Sequence, residues 1–167
     1  MPPTRTARRS LRIALIGAVV LGVTTCTSKG PMTSAELTDF ATRYAAAWSS
    51  QDPAKLGSFY GENGSLVVNG TPSVGRAAVT ATAKGFMTAF PDMVVKLQRV
   101  TQEGGHATFH WLWTGTNSGP GGTGKSVRIT GYEEWTFGPD RLIAKSDGHY
   151  DEAEYQRQLK EGAPAGR

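Results

Sequence analysis

Glu133 is a carboxylate in an alternating run where apolar side chains would face a protein core. It shares the parity of Ile129 and Trp135, so it lies on the apolar side of a predicted strand. Burial there would raise its pKa and make it a stronger base or a neutral hydrogen-bond donor. A position at the rim of the sheet, or a cross-strand pairing with Lys145, is the alternative interpretation.

Asp147 and His149 lie two residues apart on the last predicted strand, so their side chains share one face. An aspartate beside a histidine could transfer a proton near neutral pH, where imidazole titrates. A solvated strand edge that also carries Lys145 is the alternative. Asp147, His149 and Glu133 are therefore the catalytic candidates if the protein is an enzyme.

The other histidines and the serines offer less chemistry. His106 follows two glycines and is typical of a turn, and His110 has the parity opposite Trp111, which favours the outer face of a sheet. No histidine spacing suits a zinc site, and neither Ser126 nor Ser146 has the context of a nucleophile elbow. We expect no metal and no cofactor.

Residues 119–126 (GPGGTGKS) fit the phosphate-loop pattern at every required position. A phosphate loop needs a helix after it, but residues 127–137 alternate and are rich in β-branched and aromatic side chains, which indicates a strand. Two strands joined by a glycine-rich loop predict a hairpin. We therefore expect no nucleotide ligand.

The net charge of +4 is concentrated at the N-terminus and is no sign of a nucleic-acid-binding surface. Four of the 18 basic residues lie in the first 25 residues, which hold no acidic residue, so 14 basic residues remain against 14 acidic ones. The rest of the chain is neutral and has no basic stripe or nucleic-acid motif.

Residues 1–25 have the basic start and the short apolar core of an export signal, and the one cysteine, Cys26, follows directly. This placement predicts a bacterial lipoprotein that is lipidated on Cys26 and anchored to the cell membrane. Thr25 is unusual before a lipidated cysteine, so a secreted protein or an uncleaved anchor are alternatives. Arg8-Arg9 leaves both the general and the twin-arginine export routes open.

The rest of the chain predicts a tether over 26–33, one domain over 34–160 and a disordered tail over 161–167. Helices are expected from residue 33 or 34 to Trp48, after Asp52-Pro53, and from Gly75 to Phe90. A short strand over 65–68 precedes the turn 69–72. Four antiparallel strands then follow, and a terminal helix is expected over 152–159. Helices grouped before a meander predict an α+β domain with helices on one sheet face.

Several segments resemble the SnoaL-like polyketide cyclases of the nuclear-transport-factor-2-like superfamily. These are residues 44–48 (YAAAW), Asp52-Pro53, residues 90–93 (FPDM), residues 111–116 (WLWTGT) and the turn 123–127 (TGKSV). The likeness covers residues 37–159.

This resemblance implies a cone-shaped domain in which a curved, mostly antiparallel sheet packs against about three helices around a blind apolar pocket, often in a homodimer. It also implies an acid/base aspartate on the last strand. Counting forward from Phe137 puts that position at Asp147, and counting back from Asp151 puts it at Gly148.

Our expectation is an exported domain that binds a small, largely apolar molecule. An acid/base enzyme without a cofactor (an isomerase, cyclase or hydratase) and a dimeric interaction module at the cell envelope are the alternatives. The expected binding residues are aromatic: Trp48, Tyr60, Phe90, Trp111, Trp113 and Trp135.

Overall fold

The computed structural model describes residues 30–164. The predicted export signal, Cys26 and the end of the tail lie outside these residues. Of the helices within them, none is long and apolar enough to cross a membrane.

Three helices precede most of the sheet. α1 (Ser34–Trp48) opens with a capping box, in which Thr33 Oγ1 accepts from Glu36 N at 3.3 Å and Glu36 Oε2 accepts from Thr33 N at 2.8 Å. α2 (Pro53–Gly57) is capped by the Asp52 side chain. α3 (Arg76–Ala89) ends two residues before Pro91, which cannot continue a helix.

Six strands form one curved, mixed and unclosed sheet. They are β1 (Tyr60–Val68), β2 (Thr71–Val74), β3 (Val94–Glu103), β4 (His106–Thr116), β5 (Ser126–Phe137) and β6 (Ile143–Tyr150), in the order β2-β1-β6-β5-β4-β3. The α+β class is confirmed. β1 is longer than expected and pairs with β6 in parallel, and β2 occupies part of the expected turn.

The hairpin around the glycine-rich loop is confirmed. β5 begins at Ser126, directly after Lys125, so a strand stands where a phosphate loop requires a helix. The loop closes on Asn117, whose backbone oxygen accepts from Gly124 N at 2.8 Å and whose Oδ1 accepts from Thr123 N at 2.8 Å. The glycines therefore serve a tight turn.

The concave face of the sheet carries the core under α1 and α3. Burial alternates along β4 and β5 as the sequence predicts, and Phe109 stacks on Trp135 with ring centroids 4.8 Å apart. Tyr44 of α1 meets Trp135 edge-on at 4.9 Å. Aromatic contacts thus join the first helix to the centre of the sheet.

Both ends of the described chain are held against the domain. Arg141, in the β5–β6 turn, donates to the backbone oxygens of Gly30 and Pro31 and to Glu36 Oε1. At the other end, Ala163 N donates to Ser126 O at 2.7 Å. The chain therefore stays in contact with the sheet beyond residue 161, where we expected the tail to begin.

Gln158 attaches the fourth helix, α4 (Glu152–Glu161), to the sheet. Its Oε1 accepts from Arg128 N at 2.6 Å and its Nε2 donates to Arg128 O at 3.1 Å. β6 does not pair with β5 at Arg128, so the glutamine amide takes the place of a neighbouring strand. Gln158 is buried, which makes this contact an anchor for α4.

Replacing Gln158 with alanine should therefore destabilise the protein by about 1–3 kcal/mol, because it removes both bonds to a backbone that has no other partner there. Urea unfolding gives the difference. Gln156→Ala is the matched control, since that side chain contacts Glu152 on the surface of the same helix. Equal effects of the two substitutions would contradict the anchoring role.

Candidate active or binding site

A cavity of about 60 Å³ lies between the concave face of the sheet and helices α1 and α3. Four of its lining residues are only partly buried, so the cavity reaches the surface at one side. The wall is almost wholly apolar and is formed by Trp48, Leu66, Val68, Phe86, Met93, Val95, Trp111, Trp113, Glu133, Gly148 and Tyr150.

Two glycines leave room on this face of the sheet. Gly131 of β5 lies opposite Trp111, and a side chain at residue 131 would occupy the space of the indole ring. Gly148 of β6 lies opposite Glu133, and a Cβ at residue 148 would lie 3.5 Å from Glu133 Cγ and 3.1 Å from Val67 O. The missing side chains therefore allow Trp111 and Glu133 to lie flat along the wall.

Glu133 is the polar group of the cavity, and one of its oxygens is fully engaged. Its Oε2 accepts hydrogen bonds from Ser146 Oγ at 2.6 Å, from Trp135 Nε1 at 2.9 Å and from Tyr44 OH at 2.9 Å. Its Oε1 has no hydrogen-bond partner among residues 30–164. A ligand in the cavity could therefore reach one free carboxyl oxygen.

A second tyrosine extends this network. Tyr60 OH lies 2.7 Å from Tyr44 OH. Because the Tyr44 proton is used in the bond to Glu133, Tyr60 must donate to Tyr44. Burial, and next the charge of Glu133, raise the pKa of both tyrosines well above the usual value, so both stay neutral donors.

The protonation of Glu133 is set by two opposed effects. Burial raises its pKa above the ordinary 4.5, and the hydrogen bonds from Ser146, Trp135 and Tyr44 offset part of that shift. No lysine, arginine or histidine of the described chain lines the cavity or bonds to Glu133. The carboxyl group thus has hydrogen-bond donors there but no positive partner.

The structure places Asp147 and His149 on one face, as predicted, but this is the outer face of the sheet. Asp147 Oδ2 lies 3.3 Å from Lys145 Nζ, and Asp147 Oδ1 lies 3.4 Å from His149 Nε2. The cross-strand pairing of Lys145 with Glu133, which was part of the alternative interpretation, is therefore absent, since Lys145 lies on the opposite face. Neither Asp147 nor His149 lines the cavity.

A bulge in β6 explains this correction. Phe137 pairs with Ile143 and Thr136 pairs with Lys145, so two steps along β6 match one step along β5. The extra residue reverses the side-chain parity after the buried Ile143. Ser146 and Gly148 consequently face the cavity, and the cavity-side match to the aspartate implied by the resemblance is Gly148.

The aromatic candidates divide into two groups. Trp48, Trp111 and Trp113 line the cavity as expected. Tyr60, Phe90 and Trp135 are buried behind it and do not form its wall. His110 lies beside Tyr132 on the outer face, with the two rings tilted and their centroids 5.9 Å apart, which agrees with its sequence parity.

Sequence reasoning missed several members of the site. The sequence analysis places Tyr44 in a predicted helix and assigns it no role in the site. Its position one turn before Trp48 nevertheless puts both side chains on the same buried face of that helix. Ser146 could be found only with the bulge known, because a regular strand would have turned it outward. The remaining wall residues come from three strands, one helix and the turn before β3, and they share no sequence signal: Leu66, Val68, Phe86, Met93, Val95, Gly148 and Tyr150.

The family model for the SnoaL-like domain matches residues 41–146, which include the second half of α1, the first five strands and most of the cavity wall. The chain belongs to the SnoaL-like domain family. A comparison with curated protein sequences gives no significant match.

Solved structures share this SnoaL-like fold at low sequence identity. TsrD from Streptomyces laurentii is 20% identical, with 77% of this chain and 97% of that chain covered and a TM-score of 0.67. A protein with a ketosteroid-isomerase-like fold from Catenulispora acidiphila DSM 44928, in complex with trimethylamine, is 18% identical over 72% of this chain and 92% of that chain, with a TM-score of 0.65. A SnoaL-like protein of unknown function from Burkholderia thailandensis E264 is 20% identical over 72% and 99%, with a TM-score of 0.60.

The buried carboxyl group should give this SnoaL-like domain a specific pH dependence of stability. Because burial raises the folded-state pKa, the folded protein keeps a proton that the unfolded chain releases above about pH 4.5. That contribution is fully present below pH 4.5 and is lost as the pH rises through the folded-state pKa. Glu133→Gln does not titrate, so the variant should gain stability relative to the wild type as the pH rises.

Urea unfolding at several pH values from about 4 to 8 measures this difference. Glu134→Gln is the control, because that side chain is 62% exposed on the opposite face of the same strand. A difference between wild type and Glu133→Gln that is constant with pH would show that the Glu133 pKa is not raised.

Proposed function

We propose that the domain binds a small, largely apolar molecule in the cavity and holds its one polar group against Glu133 Oε1. The observation that carries this proposal is an apolar wall with a single carboxyl group, of which one oxygen is unpaired. Ligand pockets generally combine an apolar lining with a few polar groups that fix orientation.

The volume of the cavity limits the ligand. About 60 Å³ is well below the roughly 150 Å³ of an engineered apolar cavity that holds benzene. A polycyclic molecule would therefore need movement of the partly buried wall residues, whereas a compact group of a few heavy atoms would fit as the wall stands. The Catenulispora protein was solved with trimethylamine, a molecule of this small size, although the likeness to that protein concerns the fold alone.

Filling the cavity should abolish binding. Val95 faces the cavity, and Val94 beside it is 39% exposed. In a calorimetric screen of small apolar alcohols, ketones and amines, Val95→Phe should weaken any ligand of the wild type at least tenfold, because the ring takes the ligand's space. Val94→Phe should leave its affinity within about twofold. Equal affinity in wild type and Val95→Phe would place the ligand elsewhere.

General acid/base catalysis is the second candidate function, and the environment of Glu133 favours it. A carboxyl group whose pKa is raised by burial, and which faces a cavity, suits proton transfer next to a carbonyl or epoxide. Tyr44, Ser146 and Trp135 would hold the carboxyl group in place during that transfer. Asp147, on the outer face, would take no part.

This second candidate predicts different effects on kcat for substitutions at two carboxylates on adjacent strands, Glu133 and Asp147. On a panel of small lipophilic ketones and epoxides, Glu133→Gln should lower kcat by about 10²–10⁴-fold, because it removes the proton-transferring group. Asp147→Asn should leave kcat within about twofold. Loss of turnover in Asp147→Asn with retention in Glu133→Gln would restore the aspartate as the acid/base group.

A further inference from the structure

We propose that the ligand class of this cavity is a small alkylated ammonium cation, bound by its methylated nitrogen among the tryptophans and beside Glu133 Oε1. This inference rests on the proposed binding function and names the chemistry of the ligand. Two independent features of the described residues support it: the aromatic wall and a carboxyl group without a positive partner.

The first feature is the concentration of tryptophan at the cavity. The chain has four tryptophans. Trp48, Trp111 and Trp113 line the cavity, and the fourth, Trp135, donates to Glu133. Phe86 and Tyr150 add two further rings to the wall. Tryptophan gives the strongest attraction of any side chain to a cation over its ring, and desolvation strengthens that attraction.

The second feature is the electrostatic state of Glu133. Its Oε2 accepts three hydrogen bonds, a number that suits an ionised carboxylate better than a neutral acid. Burial opposes ionisation, and no basic side chain among residues 30–164 compensates it. A cation in the cavity would supply the missing charge, because an opposite charge nearby favours the ionised form.

The shape of the site also suits this class. An alkylated ammonium group presents methyl groups outward, so it contacts an apolar wall without losing strong hydrogen bonds to water. A primary ammonium group would need several acceptors, and the cavity offers one free carboxyl oxygen. The alkyl substituents contact the apolar wall beside Gly148, and a longer tail can leave past the partly buried Val68 and Val95.

Two ligands of equal shape test the inference. In 3,3-dimethylbutan-1-ol a neutral quaternary carbon replaces the charged nitrogen of choline. Isothermal titration of the full chain at about pH 8 should give choline at least tenfold higher affinity than the neutral alcohol. In Glu133→Gln the ratio of the affinity for choline to the affinity for the alcohol should fall to about one. In Asp147→Asn, whose wild-type carboxylate lies on the outer face, the tenfold preference should persist.

The pH dependence provides a check that needs no variant. The titratable groups around Glu133 are Tyr44 from α1, Tyr60 from β1 and Tyr150 from β6, which lines the same cavity. Burial raises the pKa of all three, so they stay neutral over this range. Ser146 and Trp135 complete its surroundings and do not titrate. The affinity for choline should therefore fall as the pH is lowered and Glu133 takes up a proton, while the affinity for the neutral alcohol should change little.

Each outcome has one meaning. Equal or tighter binding of the neutral alcohol would overturn the cationic ligand class and leave the cavity as a binding site. A second outcome would also overturn the cationic ligand class: neither compound binds, but a neutral molecule binds the wild type and loses affinity in Val95→Phe. If no compound of either kind binds, the proposed binding function fails together with the ligand class.

Discussion

The buried carboxyl group of Glu133 is the constraint on which the rest of the domain depends. Removing a carboxyl group from water is costly unless hydrogen bonds replace the lost solvation. Here the replacement comes from three directions: Tyr44 of α1, Ser146 of β6 and Trp135 of β5 itself. Satisfying one oxygen thus fixes the first helix against two central strands and leaves the other oxygen beside the cavity.

The same group explains why the core is polar at one point and apolar elsewhere. Tyr44 and Tyr60 carry their hydroxyl groups into a cluster of aromatic rings, where an unpaired hydroxyl would be unfavourable. Each hydroxyl finds a partner in the chain that ends at Glu133. By contrast, Trp111 Nε1 and Trp113 Nε1 are buried without a partner among the described residues. The hydrogen bonds are therefore concentrated on one oxygen of the carboxyl group, Glu133 Oε2.

Much of the fold could be predicted from local patterns in the sequence. The alternation in residues 127–137 identified a strand after the glycine-rich loop and put Glu133 on its buried side. The helix starts expected at residue 33 or 34 and after Asp52-Pro53 are both confirmed by the structure. These features depend on neighbouring residues, which a single sequence displays directly.

The site itself could be predicted only in part, because it depends on register between distant strands. Ile143 is apolar and Asp147 shares its sequence parity, so a regular strand would turn either both inward or both outward. The bulge in β6 breaks that link, and no residue in the segment is of a type that predicts a bulge. The parallel pairing of β1 with β6, between which α3 and four other strands lie in the sequence, likewise has no local signal.

The paired glycines on β5 and β6 have a consequence for how this architecture can diverge. Gly131 gives its space to the Trp111 ring, and Gly148 forms part of the cavity wall beside Glu133. A side chain at residue 131 would meet the Trp111 ring and the backbone oxygen of His149, and one at residue 148 would meet Glu133 and the backbone oxygen of Val67. A change in the shape of the cavity at these positions therefore requires coupled substitutions, in which a glycine and the side chain packed over it are replaced together.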